Sequence, residues 1–284
     1  MVDEDMAWLA KLRPVPVGFP ACRRCRYRDL GRGEVCLVCV GAAGPSFDRG
    51  ATACPVCGQP LPAGTPCGND WCARGDRWWS VVWSIAPHVG SLRHALLRYK
   101  YRAETEWSAV FGRLLVGFLD DHMPWFDEYD ALVPVPAFLG PGARRRWDPI
   151  GRVVAEAAGL AGRRWPVEAG AIVKTAETAP MAGLSLGGRR ACAEGALRRA
   201  LLVPDPARVR GARLLVVDDV FTEGSTLREV ARAMRRAGAV EVAGLALARQ
   251  PWSGLGDGRG PALDPRHGSG HPVRSKGGEA REVL

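Results

Sequence analysis

Two adjacent carboxylates, followed by a loop of hydroxyl residues, form the stretch of this sequence best suited to ligand chemistry. The segment "LLVVDDVFTEGST", residues 214–226, runs from apolar residues into Asp218 and Asp219. Buried carboxylates cost free energy unless they face a partner such as sugar hydroxyls, a metal ion or a basic residue. Gly224 allows a close backbone approach, and the N–H groups at the start of the following helix favour an anion. The segment therefore suits a phosphorylated sugar.

A simpler alternative is a strand-to-helix turn with no ligand. Thr226 and Glu229 have the spacing of a capping box at the start of a helix over residues 226–238. For a lone Asp-Asp pair this alternative is favoured. The complete string, with its hydroxyl loop (residues 222–226), favours the ligand site.

Eight of the nine cysteines lie between Cys22 and Cys72, in four close pairs. Such clustering in a chain without an export signal indicates metal rather than disulfides. Close thiolate pairs, two per ion, suit tetrahedral zinc and predict two ions. Sequential sites would join Cys22, Cys25, Cys36 and Cys39 in the first, and Cys54, Cys57, Cys67 and Cys72 in the second. A cross-braced pairing is the alternative.

The predicted zinc ions are structural, because four thiolates leave no open position for chemistry. In so short a segment, the free energy of metal binding is also free energy of folding. Disulfides or an iron–sulfur cluster are less favoured alternatives. A module of this kind can also bind nucleic acid or protein. Cys192 lies apart and is interpreted as a small buried hydrophobe.

Composition divides the chain into four regions. Residues 1–20 are a short lead, and residues 21–75 form the cysteine-rich module. Residues 76–251 are the main domain, and residues 252–284 are rich in Gly, Pro and charge, which predicts a disordered tail.

The main domain predicts a parallel α/β sheet flanked by helices. "GARLLVVDD" is continuously apolar, as a strand covered on both faces would be. A helix and the strand "VEVAGLALA" follow it, and this order favours right-handed crossovers. Earlier, "ALVPVPA" predicts a short strand, and "DPIGRVVAEAAGLAG" predicts a helix capped by Asp148.

The net charge of +9 is weak evidence for a nucleic-acid partner. Only four of the 39 basic residues are Lys, and Ala and Gly are abundant, which indicates a coding bias toward Arg. No stretch reaches the roughly 18 uncharged apolar residues of a membrane helix. The N-terminus opens acidic and does not resemble a secretory signal. We therefore expect a cytoplasmic protein without membrane insertion.

The string "VVDDVFTEGST" resembles the 5-phosphoribosyl 1-diphosphate (PRPP) binding motif of type I phosphoribosyltransferases. The resemblance implies that Asp218 and Asp219 hold the ribose 2′- and 3′-hydroxyls and act in catalysis. It implies that the hydroxyl loop holds the 5′-phosphate through Thr222, Glu223, Gly224, Ser225 and Thr226. Glu223 departs from the pattern, because the family has Thr or another small residue there, and a carboxylate repels phosphate unless it points away.

A cysteine-rich zinc module followed by such a domain resembles the ComF family, over about residues 54–250. "LLRYKYR" resembles that family's Lys-Tyr segment, and "LVPVPAFLGPGARRRWDPIGRVVAEAAG" its Pro-Val-Pro strand, basic loop and helix. The resemblance implies that the loop with Arg144, Arg145 and Arg146 meets the diphosphate of PRPP. A solvated loop of biased composition is the alternative. This chain lacks family polar residues near Trp147, Met181 and Cys192.

Two functions follow from these resemblances. The first is transfer of a phosphoribosyl group from PRPP, bound with Mg²⁺, to an acceptor that the sequence does not identify. The second is a non-catalytic module that acts in DNA uptake or processing by binding single-stranded DNA or protein. A purely structural zinc scaffold ranks last, because it leaves the Asp-Asp loop unexplained.

Overall fold

The computed structural model describes residues 53–250, except 62, 63, 89, 106, 162, 163 and 182. The predicted lead (1–20) and tail (252–284) lie outside the described residues. So do four of the predicted metal ligands: Cys22, Cys25, Cys36 and Cys39.

A four-stranded parallel sheet forms the centre of the described chain, as the sequence predicts. Its strands are β1 (Val82–Pro87), β2 (Ala131–Pro134), β5 (Arg213–Phe221) and β6 (Glu241–Arg249). Their spatial order is β1-β6-β5-β2, and every neighbouring pair is parallel. A separate antiparallel ribbon pairs β3 (Val173–Lys174) with β4 (Leu201–Leu202).

Helices connect and cover the strands. They are α1 (Asp70–Ala73), α2 (Gly90–Arg102), α3 (Trp107–Asp121), α4 (Met123–Phe126), α5 (Pro149–Ala161), α6 (Leu186–Cys192), α7 (Arg198–Ala200) and α8 (Ser225–Arg236). A π-helical turn, Ala193–Leu197, joins α6 to α7. The predicted cap of α5 is confirmed, because Asp148 Oδ1 accepts hydrogen bonds from the backbone N–H groups of Ile150 (3.1 Å) and Gly151 (3.0 Å).

Both faces of the sheet are buried, which accounts for the continuous apolar run of β5. Leu215 and Val217 pack in one apolar cluster with residues of α2, α3 and α5. Leu214 and Val216 point to the opposite face and pack in a second cluster with residues of α8. Cys54 and Cys57 belong to this second cluster, so the last part of the cysteine-rich segment packs directly on the sheet.

Two details differ from the sequence predictions. Strand β5 continues past the Asp pair to Phe221, because its ladder with β6 extends to the pairs Val220–Ala248 and Phe221–Arg249. Helix α8 begins at Ser225, with Gly224 as its N-cap.

The predicted capping box of α8 is also wrong. The Glu229 carboxylate accepts hydrogen bonds from Arg198 (2.8 Å) and Arg232 (2.6 Å) instead of turning back to Thr226. Within the described part of the chain, none of the helices has the length and apolar character needed to span a membrane.

Candidate functional site

The acidic pair lies near the carboxyl end of β5. This is the edge at which parallel α/β sheets bind ligands. Asp219 is buried and Asp218 is half-buried. Asp218 Oδ1 accepts a hydrogen bond from the Asp219 N–H (2.8 Å), and Asp219 Oδ1 accepts one from the Val220 N–H (2.7 Å). The Lys100 ammonium group, at the end of α2, forms an ion pair with Asp219. Lys100 therefore supplies the partner that a buried carboxylate requires.

The two carboxyl groups titrate in opposite directions. Burial raises the pKa of Asp218 to about 7, and the negative charge of Asp219 adds to this rise. Burial also acts to raise the pKa of Asp219, but the charge and hydrogen bond of Lys100 outweigh burial and hold that pKa below its ordinary value. Near neutral pH Asp219 is therefore the charged carboxylate of the pair, and Asp218 is only partly ionised.

The hydroxyl loop forms the wall of an open cleft. Gly224 has φ +102°, and a Cβ at this position would lie 2.8 Å from the ring of Trp79. Only glycine fits such a turn without strain. The cleft is lined by Met181, Arg189, Asp218, Val220, Phe221, Thr222, Glu223, Gly224, Ser225, Thr226 and Leu227. The structure thus brings Asp218 and the complete loop to one cleft.

The Glu223 side chain is turned into the protein. Glu223 is 1% exposed, and its carboxylate accepts hydrogen bonds from Arg190 Nε (3.2 Å) and from the Ser225 hydroxyl. The Arg190 guanidinium also neutralises its charge. The repulsion expected between this carboxylate and a phosphate is therefore offset inside the fold.

The three predicted arginines lie in the loop after β2, and they differ in their surroundings. Arg145 is half-buried and close enough to Asp219 to lower the pKa of that carboxyl, after the larger effects of burial and Lys100. The backbone N–H of Arg144 donates to Glu177 Oε2 (3.0 Å), which joins this loop to the segment after β3. The side chains of Arg144 and Arg146 are exposed. Of the three loop arginines, Arg145 is therefore the one that affects the acidic pair electrostatically.

Sequence reasoning did not assign Lys100, the partner of Asp219, to the site. Lys100 lies in the "LLRYKYR" segment that carried part of the family resemblance. Lys174, on β3, donates to Thr178 Oγ1 (2.7 Å), and burial lowers the pKa of this lysine. The signal that could have identified Lys100 is the scarcity of Lys in a chain whose other basic residues are Arg.

The three positions that lack family polar residues have other contacts. The ring of Trp147 packs edge-on against Tyr99, with 4.6 Å between centroids. Met181 lines the cleft, and Cys192 is half-buried rather than fully buried, with its Sγ 3.8 Å from the Ala179 carbonyl. Met181 therefore places an apolar thioether at the cleft wall, where the family resemblance implies a polar side chain.

Four cysteines converge beside this site and form the cysteine cluster: Cys54, Cys57, Cys67 and Cys72. Their Sγ atoms all lie within 4.8 Å of one another. Cys57 Sγ and Cys67 Sγ are 3.8 Å apart, which is close to the edge of a tetrahedron with Zn–S bonds of about 2.3 Å. The donor set and spacing fit a zinc ion. The Cys22–Cys39 quartet lies outside the described residues.

The phosphoribosyl transferase domain family matches residues 173–255. This stretch begins at β3 and includes the acidic pair, the hydroxyl loop, α8 and β6. The parallel sheet and this match define the class of protein: a phosphoribosyltransferase fold, preceded by a cluster of cysteines that could hold a metal ion.

Similar curated proteins narrow the class of protein further. The chain is 28% identical over 225 residues to DNA utilization protein YhgH of Escherichia coli K12, which covers 78% of this chain and 93% of that protein. It is 28% identical over 227 residues to the Salmonella typhi protein of the same name, with the same coverage. The predicted resemblance to ComF-like proteins with a phosphoribosyltransferase domain is confirmed by this homology.

Two solved structures match parts of this chain. The purine phosphoribosyltransferase from Pyrococcus horikoshii Ot3 is 18% identical, with a TM-score of 0.30, covering 53% of this chain and 79% of that chain. The phosphoribosylpyrophosphate synthetase from Mycobacterium smegmatis is 20% identical, with a TM-score of 0.28, covering 48% of this chain and 33% of that chain.

Proposed function

We propose that this protein binds PRPP with Mg²⁺ and transfers its phosphoribosyl group to an acceptor. One observation carries the proposal: Asp218 and the hydroxyl loop line the same cleft at the carboxyl edge of the sheet. Carboxylates suit the hydroxyls of a ribose, and the N-terminus of α8 with its small residues suits a phosphate. The matching domain family supports the same reading.

The roles of the residues follow from their chemistry. Asp218 and Asp219 accept hydrogen bonds from the 2′- and 3′-hydroxyls, and the charge on Asp219 stabilises positive charge that develops on the ribose as the bond from C1 to diphosphate loosens. Thr222 and Thr226 donate to the 5′-phosphate through their hydroxyls, and Ser225, whose hydroxyl already donates to Glu223, contributes its backbone N–H. A nucleophile on the acceptor then forms the new bond to C1, and the bond electrons leave with the diphosphate.

The diphosphate end requires positive charge. Arg144 and Arg145 lie in the loop that the family resemblance assigns to this end, and guanidinium groups bind phosphate oxygens well. Mg²⁺ is usually held by substrate phosphates, waters and only one or two carboxylates. This pattern fits a site where Asp219 already has Lys100 as its partner. When bound, Mg²⁺ neutralises charge on the leaving diphosphate.

Calorimetric titration of the zinc-loaded protein with PRPP, with and without Mg²⁺, tests the proposal. We expect saturable binding that depends on Mg²⁺ and is lost in the double variant Asp218→Asn, Asp219→Asn. Asp205→Asn is the matched control, because Asp205 only caps a short 3₁₀ turn (Pro206–Arg208) away from the cleft. Absence of binding by the folded wild-type protein would refute the proposed function.

A second candidate is binding of single-stranded DNA. The relatives are named DNA utilization proteins, and Tyr101 is 54% exposed with the Arg145 guanidinium 5.7 Å from its ring centroid. Exposed aromatic rings beside arginines are surfaces on which unpaired bases stack. This candidate predicts salt-dependent binding of an oligonucleotide that is weakened by Tyr101→Ala and unchanged by Asp218→Asn.

A further inference from the structure

The segment between Cys67 and Cys72 is in direct contact with the hydroxyl loop. Asn69, the single asparagine of the chain, lies in this segment and is 3% exposed. Its side-chain Nδ2 donates a hydrogen bond of 2.8 Å to the backbone carbonyl of Glu223. One buried amide therefore connects the cysteine cluster to the middle of the loop.

Asn69 also shapes the cysteine cluster itself. Its Oδ1 accepts a hydrogen bond from the Trp71 N–H (3.2 Å), which caps α1, and its carbonyl accepts one from the Cys72 N–H (2.9 Å). The position of Asn69 is thus tied to the position of Cys72. An interaction that restrains Cys67 and Cys72 therefore also restrains the side-chain amide of Asn69, which donates to Glu223.

A second connection runs through Arg190. Its Nη1 lies 3.0 Å from Asp70 Oδ2 and its Nε lies 3.2 Å from Glu223 Oε2. Asp70 follows Asn69 directly, so the same short segment contacts the backbone of Glu223 through Asn69 and reaches its side chain through Arg190. The Ser225 hydroxyl donates to the other carboxylate oxygen of Glu223, which extends the connection to the start of α8.

The other half of the cluster is fixed to the sheet. Arg249, at the end of β6, is 4% exposed and donates to the Cys57 carbonyl. It also donates to Gln59 Oε1 (3.1 Å), and its Nη2 lies 3.3 Å from Cys57 Sγ. Cys54 and Cys57 are therefore held by the core. The segment with Cys67 and Cys72 meets the same core through the buried ring of Trp71, but the four-residue helix α1 is its only regular structure. A helix of this length is not stable by itself.

We propose that a metal ion in the cysteine cluster positions the hydroxyl loop for its ligand, with Asn69 as the positioning residue. A metal ion held by the four thiolates would restrain Cys67 and Cys72 relative to Cys54 and Cys57. The segment between Cys67 and Cys72 would then hold the Glu223 carbonyl and carboxylate away from the cleft. This places the loop N–H groups toward the ligand. Because metal binding contributes folding free energy to such segments, metal occupancy and ligand affinity are coupled. The inference rests on the proposed function, in which this loop binds a phosphate.

Asn69→Asp tests the proposal with the smallest chemical change. The aspartate keeps an oxygen that caps α1 and loses the N–H donor to Glu223. Gln59→Glu is the matched control, because Gln59 is a similarly buried amide (8% exposed) on the opposite side of the cluster that accepts from Arg249, and a carboxylate keeps that acceptor.

Hydrogen exchange of the loop amides in the full-length protein, without ligand, is the first readout. Zinc removal from the wild-type protein should accelerate exchange at residues 222–226 by about 10-fold or more. Zinc-loaded Asn69→Asp should show a similar acceleration, and zinc-loaded Gln59→Glu should match the wild type. Equal protection of these amides with and without zinc, or unchanged protection in Asn69→Asp, would overturn the proposal.

Titration with ribose 5-phosphate, which avoids a need for Mg²⁺, is the second readout. Zinc-loaded Asn69→Asp should bind about 10-fold more weakly than the wild type, because a lost buried hydrogen bond has roughly this effect. Equal affinities of these two proteins would contradict the proposal. If the wild type binds neither ribose 5-phosphate nor PRPP with Mg²⁺, the proposed function fails, and the exchange measurement still decides whether the metal orders the loop.

Discussion

Replacement of Lys100 by Met tests whether this lysine compensates the acidic pair. Removal of one partner of a buried ion pair typically costs about 3–5 kcal/mol. The Lys100 and Asp219 side chains are 19% and 11% exposed, so the lower end, about 3 kcal/mol, applies. The variant can avoid an unpaired buried charge by protonating Asp219. At pH 7 this protonation costs about 4 kcal/mol, given an ordinary pKa of about 3.9 and about 1.36 kcal/mol per pKa unit, so the loss of unfolding free energy cannot exceed this value.

Urea unfolding at several pH values measures this effect. The lowered pKa of Asp219 contributes stability that is present above the unfolded-state pKa and is lost as pH falls through the folded-state pKa. The difference between wild type and Lys100→Met should therefore be large at pH 7 and should shrink as pH falls below about 4, through the lowered pKa of Asp219. At pH 7 it corresponds to a fall in Tm of about 6–12 °C for a domain of this size.

A double-mutant cycle separates the ion pair from other effects of the substitution. In the background Asp219→Asn, Lys100→Met should cost much less than in the wild type, because the charged partner is already absent. Arg102→Met is the control on the same helix, at an exposed position, and should change stability by less than about 0.5 kcal/mol. Additive costs in the cycle, or a loss at pH 7 below about 1 kcal/mol, would refute the reasoning.

Two further predictions concern the same edge of the sheet. Because burial raises the pKa of Asp218 to about 7, its ionisation opposes folding as pH rises. Asp218→Asn should therefore become increasingly more stable than wild type between pH 4 and pH 8 in urea unfolding, and a constant difference would contradict this. Gly224→Ala should cost about 1–2 kcal/mol for its positive φ and more for the 2.8 Å approach to Trp79. Gly211 also has a positive φ, +77°, but an added Cβ there would meet open space. The difference in stability between Gly224→Ala and Gly211→Ala, measured by thermal unfolding, therefore gives the cost of the contact with Trp79. Equal losses of stability in the two variants would exclude such a cost.

Much of the architecture follows from short-range patterns. The apolar run before Asp218 predicts a strand covered on both faces, and Asp148 predicts the start of α5. These features are local, because a strand or a cap depends on residues a few positions apart. The spacing of Cys54, Cys57, Cys67 and Cys72 indicates a metal site for the same reason, and the structure brings these four together. The boundary between the cysteine-rich module and the main domain stays a prediction.

Residue types and their spacing indicate the kind of chemistry: adjacent carboxylates, a loop of hydroxyl residues and paired thiols. How these groups are compensated depends on contacts between elements that are distant in the chain. Lys100 reaches Asp219 because α2 packs beside the end of β5, and Asn69 reaches the carbonyl of Glu223 across 154 positions of sequence. The sequence around Glu223 predicts an unpaired charge beside a phosphate site. Its partner Arg190 comes from a different helix, because a buried charge is neutralised by whichever group the packing of distant elements brings within reach.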